Sequence, residues 1–169
     1  MDKVKIEELL KTVEEQGTDS DKILDSIITE YTDSIDKTVK KIQSKMIEFN
    51  GDLPINFLIN GITELQPVLF FTLAGLEKIG NRSDVAEQIR INKYNLARQG
   101  VAGTAADKTS HAETESQNEQ FVSNIYTRSY KAIKNRCDCG QNLIDSLKKA
   151  LSAKMSEMNL TRSQNISLQ

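Results

Sequence analysis

Residues 53–79 read LPINFLINGITELQPVLFFTLAGLEKI and form the most apolar stretch of the 169-residue chain. Three of the five phenylalanines lie within it. The segments on either side have apolar residues at helical spacing along one face, and amphipathic helices of that kind need an apolar element to pack against. We therefore expect the other helices to surround residues 53–79.

Composition favours helix over strand. Aromatic residues make up 5% of the chain, there is no Trp, and there are two Pro and eight Gly. Strand-rich domains use more aromatic and β-branched residues and more turn residues. The sequence predicts an all-α multi-helix bundle of about six helices with a long antiparallel helical hairpin. A chain of this length suits a single helical domain, residues 1–160, with a flexible tail at 160–169.

Residues 1–50 predict two acidic N-terminal helices. The first covers residues 4–15 and ends at Gly17. The second runs from about residue 21 to residue 49, and its apolar residues follow a near-heptad spacing: Leu24, Ile28, Tyr31, Ile35 and Ile42. Such spacing is typical of a long helix that packs at a shallow angle, either inside a bundle or in a coiled coil between chains.

The apolar stretch itself predicts two central helices. Asn50-Gly51 is a helix-stopping dipeptide, and Pro67 should divide the stretch because a proline inside a helix removes a hydrogen bond and clashes with the preceding turn. We expect helices at 54–65 and 67–79, each buried on more than one side. A turn should follow at residues 80–82.

The second half of the chain predicts a helical hairpin over residues 84–158. Its arms are residues 84–99 and 112–135, and we expect a mobile loop at residues 100–110, where a helical pattern is lacking. The sequence Cys137-Asp138-Cys139-Gly140 is typical of a tight link before the last helix, which should end near Met158.

The sequence contains no residues that we can assign to catalysis or to metal binding. None of the motifs G-x-S-x-G, G-x-x-x-x-G-K-[ST], G-x-G-x-x-G and H-E-x-x-H is present, and the chain has one histidine, His111. Cys137 and Cys139 supply two of the four ligands that a structural zinc site needs, and we interpret them as a packing pair. We therefore expect no enzyme activity, no cofactor and no metal.

The N-terminus, MDKVK, lacks the apolar run of a signal peptide. The most continuous apolar window, Val68–Leu76, is far shorter than the ~20 residues that cross a bilayer. We expect a protein without a signal peptide, a transmembrane segment or a membrane partner, located inside the cell or within an assembled particle.

Charge is distributed unevenly along the chain. Residues 1–80 carry 9 Lys and Arg against 15 Asp and Glu, whereas residues 81–169 carry 13 against 9. Cations interleaved with tyrosines can follow a phosphate backbone and stack on single-stranded bases. The candidate contacts to nucleic acid or another anionic partner are Arg90, Lys93, Tyr94, Arg98, Arg128, Tyr130, Lys131, Lys134 and Arg136. If the hairpin arms pack antiparallel, the two groups of cations could align.

The sequence Ala132-Ile133-Lys134-Asn135-Arg136, followed by Asn142-Leu143-Ile144-Asp145, resembles the C-terminal part of phage recombination mediators of the UvsY type. The resemblance covers about a fifth of the chain. It implies a small helical oligomer that loads a recombinase onto single-stranded DNA. The acidic first half and the central apolar stretch depart from that family, so the resemblance supplies the second of two functional hypotheses.

The first hypothesis is a non-enzymatic assembly or adaptor protein. It would act through helix-mediated association with itself or within a larger complex such as a phage particle. The hypothesis rests on the long near-heptad helix beside an unusually apolar centre. The candidate association surface comprises Leu24, Ile28, Tyr31, Ile35, Ile42, Phe57, Phe70 and Phe71.

Overall fold

The computed structural model describes the backbone of residues 3–166 and the side chains of residue 17 and residues 19–161. That part of the chain is 92% helical and contains no strand. Its helices are α1 (Lys3–Glu48), α2 (Ile55–Gln99), α3 (Ala105–Glu115) and α4 (Gln117–Ile166). The predicted all-α helical bundle is confirmed, with fewer and longer helices than expected. The side chains of the predicted helix at 4–15 lie outside the described residues.

Two predicted interruptions are absent from the first two helices. α1 is continuous through Gly17, and α2 is continuous through Pro67. A proline removes one backbone hydrogen bond, but Leu65 and Leu69 on either side of it are both buried, so the packing of the flanking residues outweighs the local preference. Asn50-Gly51 does follow the end of a helix as predicted, and both residues have positive φ (47° and 92°).

The predicted turn that begins at Gly80 and the predicted link that ends at Gly140 are also helical. Both glycines serve close packing rather than a change of chain direction. A Cβ at Gly80 would lie 3.3 Å from the ring of Tyr130, and a Cβ at Gly140 would lie 3.0 Å from Cδ2 of Leu69. These predictions were wrong because the sequence does not distinguish a glycine that makes room for a neighbouring side chain from a glycine that ends a helix.

The described residues group into two compact units. Unit 1 comprises Met1–Tyr31 and Gly75–Ile133, and unit 2 comprises Thr32–Ala74 and Lys134–Gln169. Each unit contains segments of α1, α2 and α4, and α3 belongs to unit 1. The organisation as one domain stays a prediction.

Rows of buried residues, which we call seams, join the helix segments of unit 2. Neighbours along each seam are mostly three or four residues apart, which is the spacing typical of helices that pack at a shallow angle. The buried residues are Thr32, Ile35 and Ile42 on α1, Leu58, Gly61, Leu65, Leu69 and Thr72 on α2, and Cys137, Gly140, Ile144 and Leu147 on α4. The core of unit 2 therefore lies along one side of α2.

Ion pairs at the edge of these seams show the chain directions in unit 2. They are Lys41–Glu64 (2.7 Å), Arg136–Asp36 (3.1 Å) and Lys154–Asp52. In the two pairs that involve α4, the higher residue number on one segment goes with the higher number on the other: 136 pairs with 36, and 154 pairs with 52. These two segments therefore run parallel. A Cβ at Gly61 would meet the side chains of both Ile42 and Leu147, so the same face of α2 packs against both of the other helices. Its direction is opposite to theirs.

Unit 1 contains the antiparallel hairpin of α2 and α4, as predicted. Its seam is built largely from small and polar side chains: Leu76, Ile79, Ala86, Ala112, Ser116, Ser123, Ile125, Ser129 and Ile133. Hydroxyl groups pair across it, with Ser83 Oγ 3.1 Å from Thr127 Oγ1. Small seam residues bury less apolar area than the leucines and isoleucines of unit 2, so polar contacts contribute more to this hairpin.

Helix α3 replaces most of the predicted mobile loop at 100–110. Thr104 caps it, because Asp107 N–H donates to Thr104 Oγ1 (3.3 Å) and Thr104 N–H donates to Asp107 Oδ2 (3.0 Å). Ala112 of α3 is fully buried. Thr-Ala-Ala-Asp is thus a capping box that opens a helix, and the irregular connection shrinks to residues 100–104.

Replacing Gly75 with Ala should destabilise the fold. A Cβ at Gly75 would lie 2.6 Å from Cδ1 of Tyr31, so the ring or a helix has to move. We expect a loss of roughly 1–3 kcal/mol in the free energy of unfolding. Gly17→Ala is the matched control, because nothing lies within 4 Å of its Cβ position; it should stabilise helix α1 by about 0.5–1 kcal/mol. Urea unfolding measures the change in the free energy of unfolding of each variant. Equal changes would contradict the close contact between residue 75 and Tyr31.

Candidate association surface

Helix α2 carries a second apolar row beside its seam, which we call the α2 stripe: Ile55, Ile59, Ile62, Gln66, Phe70 and Leu73. Ile59, Phe70 and Leu73 are 45%, 69% and 47% exposed. Ile55 and Ile62 are half-buried, and Gln66 is exposed. All six residues belong to unit 2. Much of the stripe is therefore exposed to solvent, most of all at Phe70.

The stripe exists because α2 has more apolar circumference than its neighbours cover. At 100° per residue, its residues lie about 100° around the helix from the seam that contains Leu58, Leu65 and Leu69. The expectation that residues 53–79 are buried on more than one side is therefore wrong. Sequence alone showed the apolar width of this helix, but not which part of that width α1 and α4 cover.

The predicted association surface divides into three groups in the structure. Ile35 and Ile42 are buried within unit 2, so they cannot form part of an exposed surface. Leu24, Ile28, Tyr31 and Phe57 are half-buried. Phe70 and Phe71 project into solvent, as an association surface requires.

The two exposed phenylalanines contact each other but point in different directions. Their ring centroids are 5.6 Å apart with the rings nearly perpendicular, which is a favourable edge-to-face arrangement. Phe70 lies on the α2 stripe, whereas Phe71 lies about 100° further around the helix. By contrast, Phe57 packs on Phe49 with centroids 5.1 Å apart, and this contact joins the ends of α1 and α2 within the chain.

A second apolar feature is a groove of about 590 Å³ in unit 1. Val85 and Ile89 of α2 and Val122 and Tyr126 of α4 form its walls, with Arg82, Asn118 and Glu119 at its polar margin. Val85 and Ile89 are both more than half exposed. The groove lies on the hairpin itself and borders its charged contacts.

Charged contacts hold the hairpin beside this groove. Arg90 forms two hydrogen bonds with Glu87, from Nε to Oε2 (2.8 Å) and from Nη2 to Oε1 (2.6 Å). Ser123 Oγ of α4 donates to Glu87 Oε2 (2.9 Å), and Lys93 Nζ lies 2.8 Å from Glu119 Oε1. The Arg90 hydrogen bonds lower the pKa of Glu87 from 4.5 to about 2. These groups tie α2 to α4 and neutralise each other's charge.

The predicted basic surface loses part of its charge to these pairs. Arg90 and Lys93 are paired in unit 1, and Arg136 is paired with Asp36 in unit 2. Arg98, Arg128, Lys131 and Lys134 are exposed and form no salt bridge with any residue whose side chain is described. Tyr94 and Tyr130 are half-buried, and the Tyr130 ring packs at Gly80 rather than standing free.

The two cation groups of unit 1 do not align across the hairpin. The Lys93–Glu119 contact fixes the register of α2 against α4. Arg128 follows Glu119 by nine residues, which corresponds to about 13 Å of helix. Arg128 and Lys131 therefore lie well away from Arg90 and Lys93 along the hairpin.

The two cysteines lie on different sides of α4. Cys137 is buried in the seam of unit 2, where burial raises the pKa of its thiol, and Cys139 is exposed. Residues two apart in a helix do not face each other, so the pair cannot act together on one ligand. Among the described residues no group of three or more His, Cys, Asp or Glu is placed to hold a metal ion.

Helix α2 also contains an 18-residue window with a mean hydropathy of 1.4, of which 28% is buried. By length and composition alone this helix could cross a membrane, since Pro67 does not interrupt it. A core helix of a water-soluble bundle passes the same test. Comparison of the chain with family models, with curated proteins and with solved structures returned no match.

The Glu87–Arg90 contact should make stability depend on pH. Because the folded-state pKa of Glu87 is depressed to about 2, its stabilisation is fully present above the ordinary value near 4.5 and is lost as the pH falls toward 2. The melting-temperature difference between wild type and Glu87→Gln should therefore shrink between pH 5 and pH 2.5. The side chain is partly exposed, so the effect stays modest. In an Arg90→Gln background Glu87→Gln should lose this pH dependence; an undiminished dependence would contradict the assignment.

Proposed function

We propose that this protein is a non-enzymatic helical assembly or adaptor protein that acts through protein–protein association, in the first place with itself. The observation that carries the proposal is the α2 stripe, on which Phe70 is 69% exposed. From residue 53 to residue 76 the chain has one charged side chain, Glu64, and that carboxylate is paired with Lys41. An uncharged apolar row of this length is a docking surface for another apolar helix.

The size of the exposed apolar surface supports the same proposal. Ile59, Phe70 and Leu73 together expose roughly 300 Å². Phe71, which is 72% exposed, adds about half as much again. The largest apolar patch on a typical monomer is of this size and is often functional. Association would remove that surface from water and leave the three-helix core of unit 2 unchanged.

Self-association can be measured by light scattering over a range of protein concentrations. We expect a discrete oligomer whose mass does not fall between low and moderate salt, because its contacts are apolar. Phe70→Glu should weaken association by about tenfold or more, since it places a charge in the apolar row. Asn60→Glu is the matched control: it adds the same charge to an exposed position on the same helix, away from the stripe, and should leave the mass unchanged.

A wild-type chain that stays monomeric at every concentration would contradict the proposed self-association. An oligomer that Asn60→Glu disrupts as strongly as Phe70→Glu would show that the stripe is not its contact surface.

A second candidate function is single-stranded DNA binding, in the manner of a recombination mediator. The observation in its favour is that Arg128 and Lys131 of α4 are exposed and form no salt bridge with another described side chain. The same light-scattering measurement with a single-stranded oligonucleotide separates the two candidates. DNA binding through these cations should weaken steeply with salt and should disappear when both are changed to Glu. Lys148→Glu with Lys149→Glu makes the same charge change elsewhere on α4 and should leave binding in place.

A further inference from the structure

Five of the six residues of the α2 stripe, Ile59 to Leu73, are placed symmetrically about Gln66. Ile62 and Phe70 lie four residues before and after it, and Ile59 and Leu73 lie seven residues before and after it. A symmetric row has a specific consequence, because an interface between two identical chains around a two-fold axis brings residue i against residue j and residue j against residue i. These five residues can therefore meet their own copies with apolar residue against apolar residue, whereas Ile55 lies outside the symmetric set because position 77 is Glu.

From this symmetry we infer that two copies of the chain pair through their α2 stripes, antiparallel, with the two-fold axis at Gln66. In this arrangement Ile62 of one copy packs against Phe70 of the other, and Ile59 packs against Leu73. The two Gln66 side chains meet at the axis, where each amide can donate to and accept from the other. The inference rests on the proposed function and specifies the partner, the surface and the register.

The charges around the stripe fit an identical partner. Glu64, the one charged residue between residues 53 and 76, lies about 160° around the helix from Gln66 and is paired with Lys41. Glu77 lies in line with the stripe, at each end of the contact beside Ile55 of the other copy, so pairing two copies brings no like charges together. A bilayer surface fits less well, because helices that lie on membranes carry Lys and Arg beside their apolar face, and this segment has none.

The length of the stripe sets the strength of the dimer. Ile59 and Leu73 are about 21 Å apart along the helix. Two such rows bury on the order of 600–800 Å² in total, which is below the range of stable specific interfaces and typical of weak, transient ones. We therefore expect a weak dimer, with a Kd in the micromolar range or above, that a larger assembly can reinforce through additional contacts.

Disulfide cross-linking tests the axis. In a Cys139→Ser background, which retains the buried Cys137, Gln66→Cys should form a cross-linked dimer on oxidation with copper–phenanthroline, because the two thiols meet at the axis. Asn60→Cys is the matched control, since residue 60 is exposed on another side of α2. We expect at least about tenfold more cross-linked dimer from Gln66→Cys than from Asn60→Cys. Equal yields would overturn the inference.

A charge-pair experiment tests the register independently. Ile59→Glu and Leu73→Lys, each 45–47% exposed in the native chain, should both weaken self-association by about tenfold. Mixing the two variants should restore a heterodimer, because the carboxylate introduced at position 59 of one copy then meets the ammonium group introduced at position 73 of the other. Circular dichroism checks that each variant is folded. If either is unfolded, the cross-link at Gln66→Cys remains as the test of the pairing, because residue 66 is polar and exposed.

The outcomes separate this inference from the proposed function. A chain that is monomeric at all concentrations overturns both. An oligomer that neither cross-links at residue 66 nor shows heterodimer preference overturns the antiparallel pairing alone and leaves assembly through another surface. Flotation of the wild-type chain with neutral phosphatidylcholine vesicles, lost in Phe70→Glu, would make a bilayer the partner of the stripe and would also overturn the pairing.

Discussion

A helix packed against two neighbours can bury only part of its circumference, and this limit shapes unit 2. The seam of α2, from Leu58 to Thr72, takes up the space that α1 and α4 provide. Gly61 and Gly140 bring the helices close together, which buries that seam well and leaves no room to bury more of α2. Residues 53–79 are apolar over a wider arc than the seam, so Ile59, Phe70 and Leu73 remain in solvent. The function that we propose follows from this apolar surface, which α1 and α4 leave exposed.

The helices of the two units are held together by different kinds of contact. Unit 2 has a seam of Leu and Ile closed by small residues, and its ion pairs lie at the rim. Unit 1 has a seam rich in Ser and Ala, and its hairpin relies on Glu87, Arg90 and Ser123 near the interface. Apolar burial tolerates changes of salt and pH, whereas charged contacts do not. Changes of pH should therefore affect the contacts of the hairpin in unit 1 more than the seam of unit 2.

Periodicity predicted the fold class, the long near-heptad helix and the antiparallel hairpin, because these depend on which residues share a face. Helix ends were predicted less well. Pro67 and Gly80 look like breaks, but each lies where a neighbouring helix makes continuation favourable, and that neighbour is distant in sequence. The capping box at Thr104 could have been found from Thr-Ala-Ala-Asp alone. The exposure of Phe70 could not, since one sequence does not show how much of a helix its neighbours cover. Lys93 likewise could not be assigned to its pair with Glu119 before the hairpin register was known, whereas the i, i+3 spacing of Glu87 and Arg90 could have indicated their pair from sequence.

Within a single chain, α2 has one buried seam and one uncovered apolar stripe, and the proposed function depends on that difference. Cysteine accessibility measures it directly, with single cysteines placed in turn at positions 58, 59, 65, 66, 69, 70 and 73 of a Cys139→Ser chain, diluted until it is monomeric. We expect fast thiol labelling at 59, 66, 70 and 73 and slow labelling at 58, 65 and 69. Labelling at 59 and 70 as slow as at 58 and 69 in the monomer would contradict this, because the stripe would then already be covered by the chain itself.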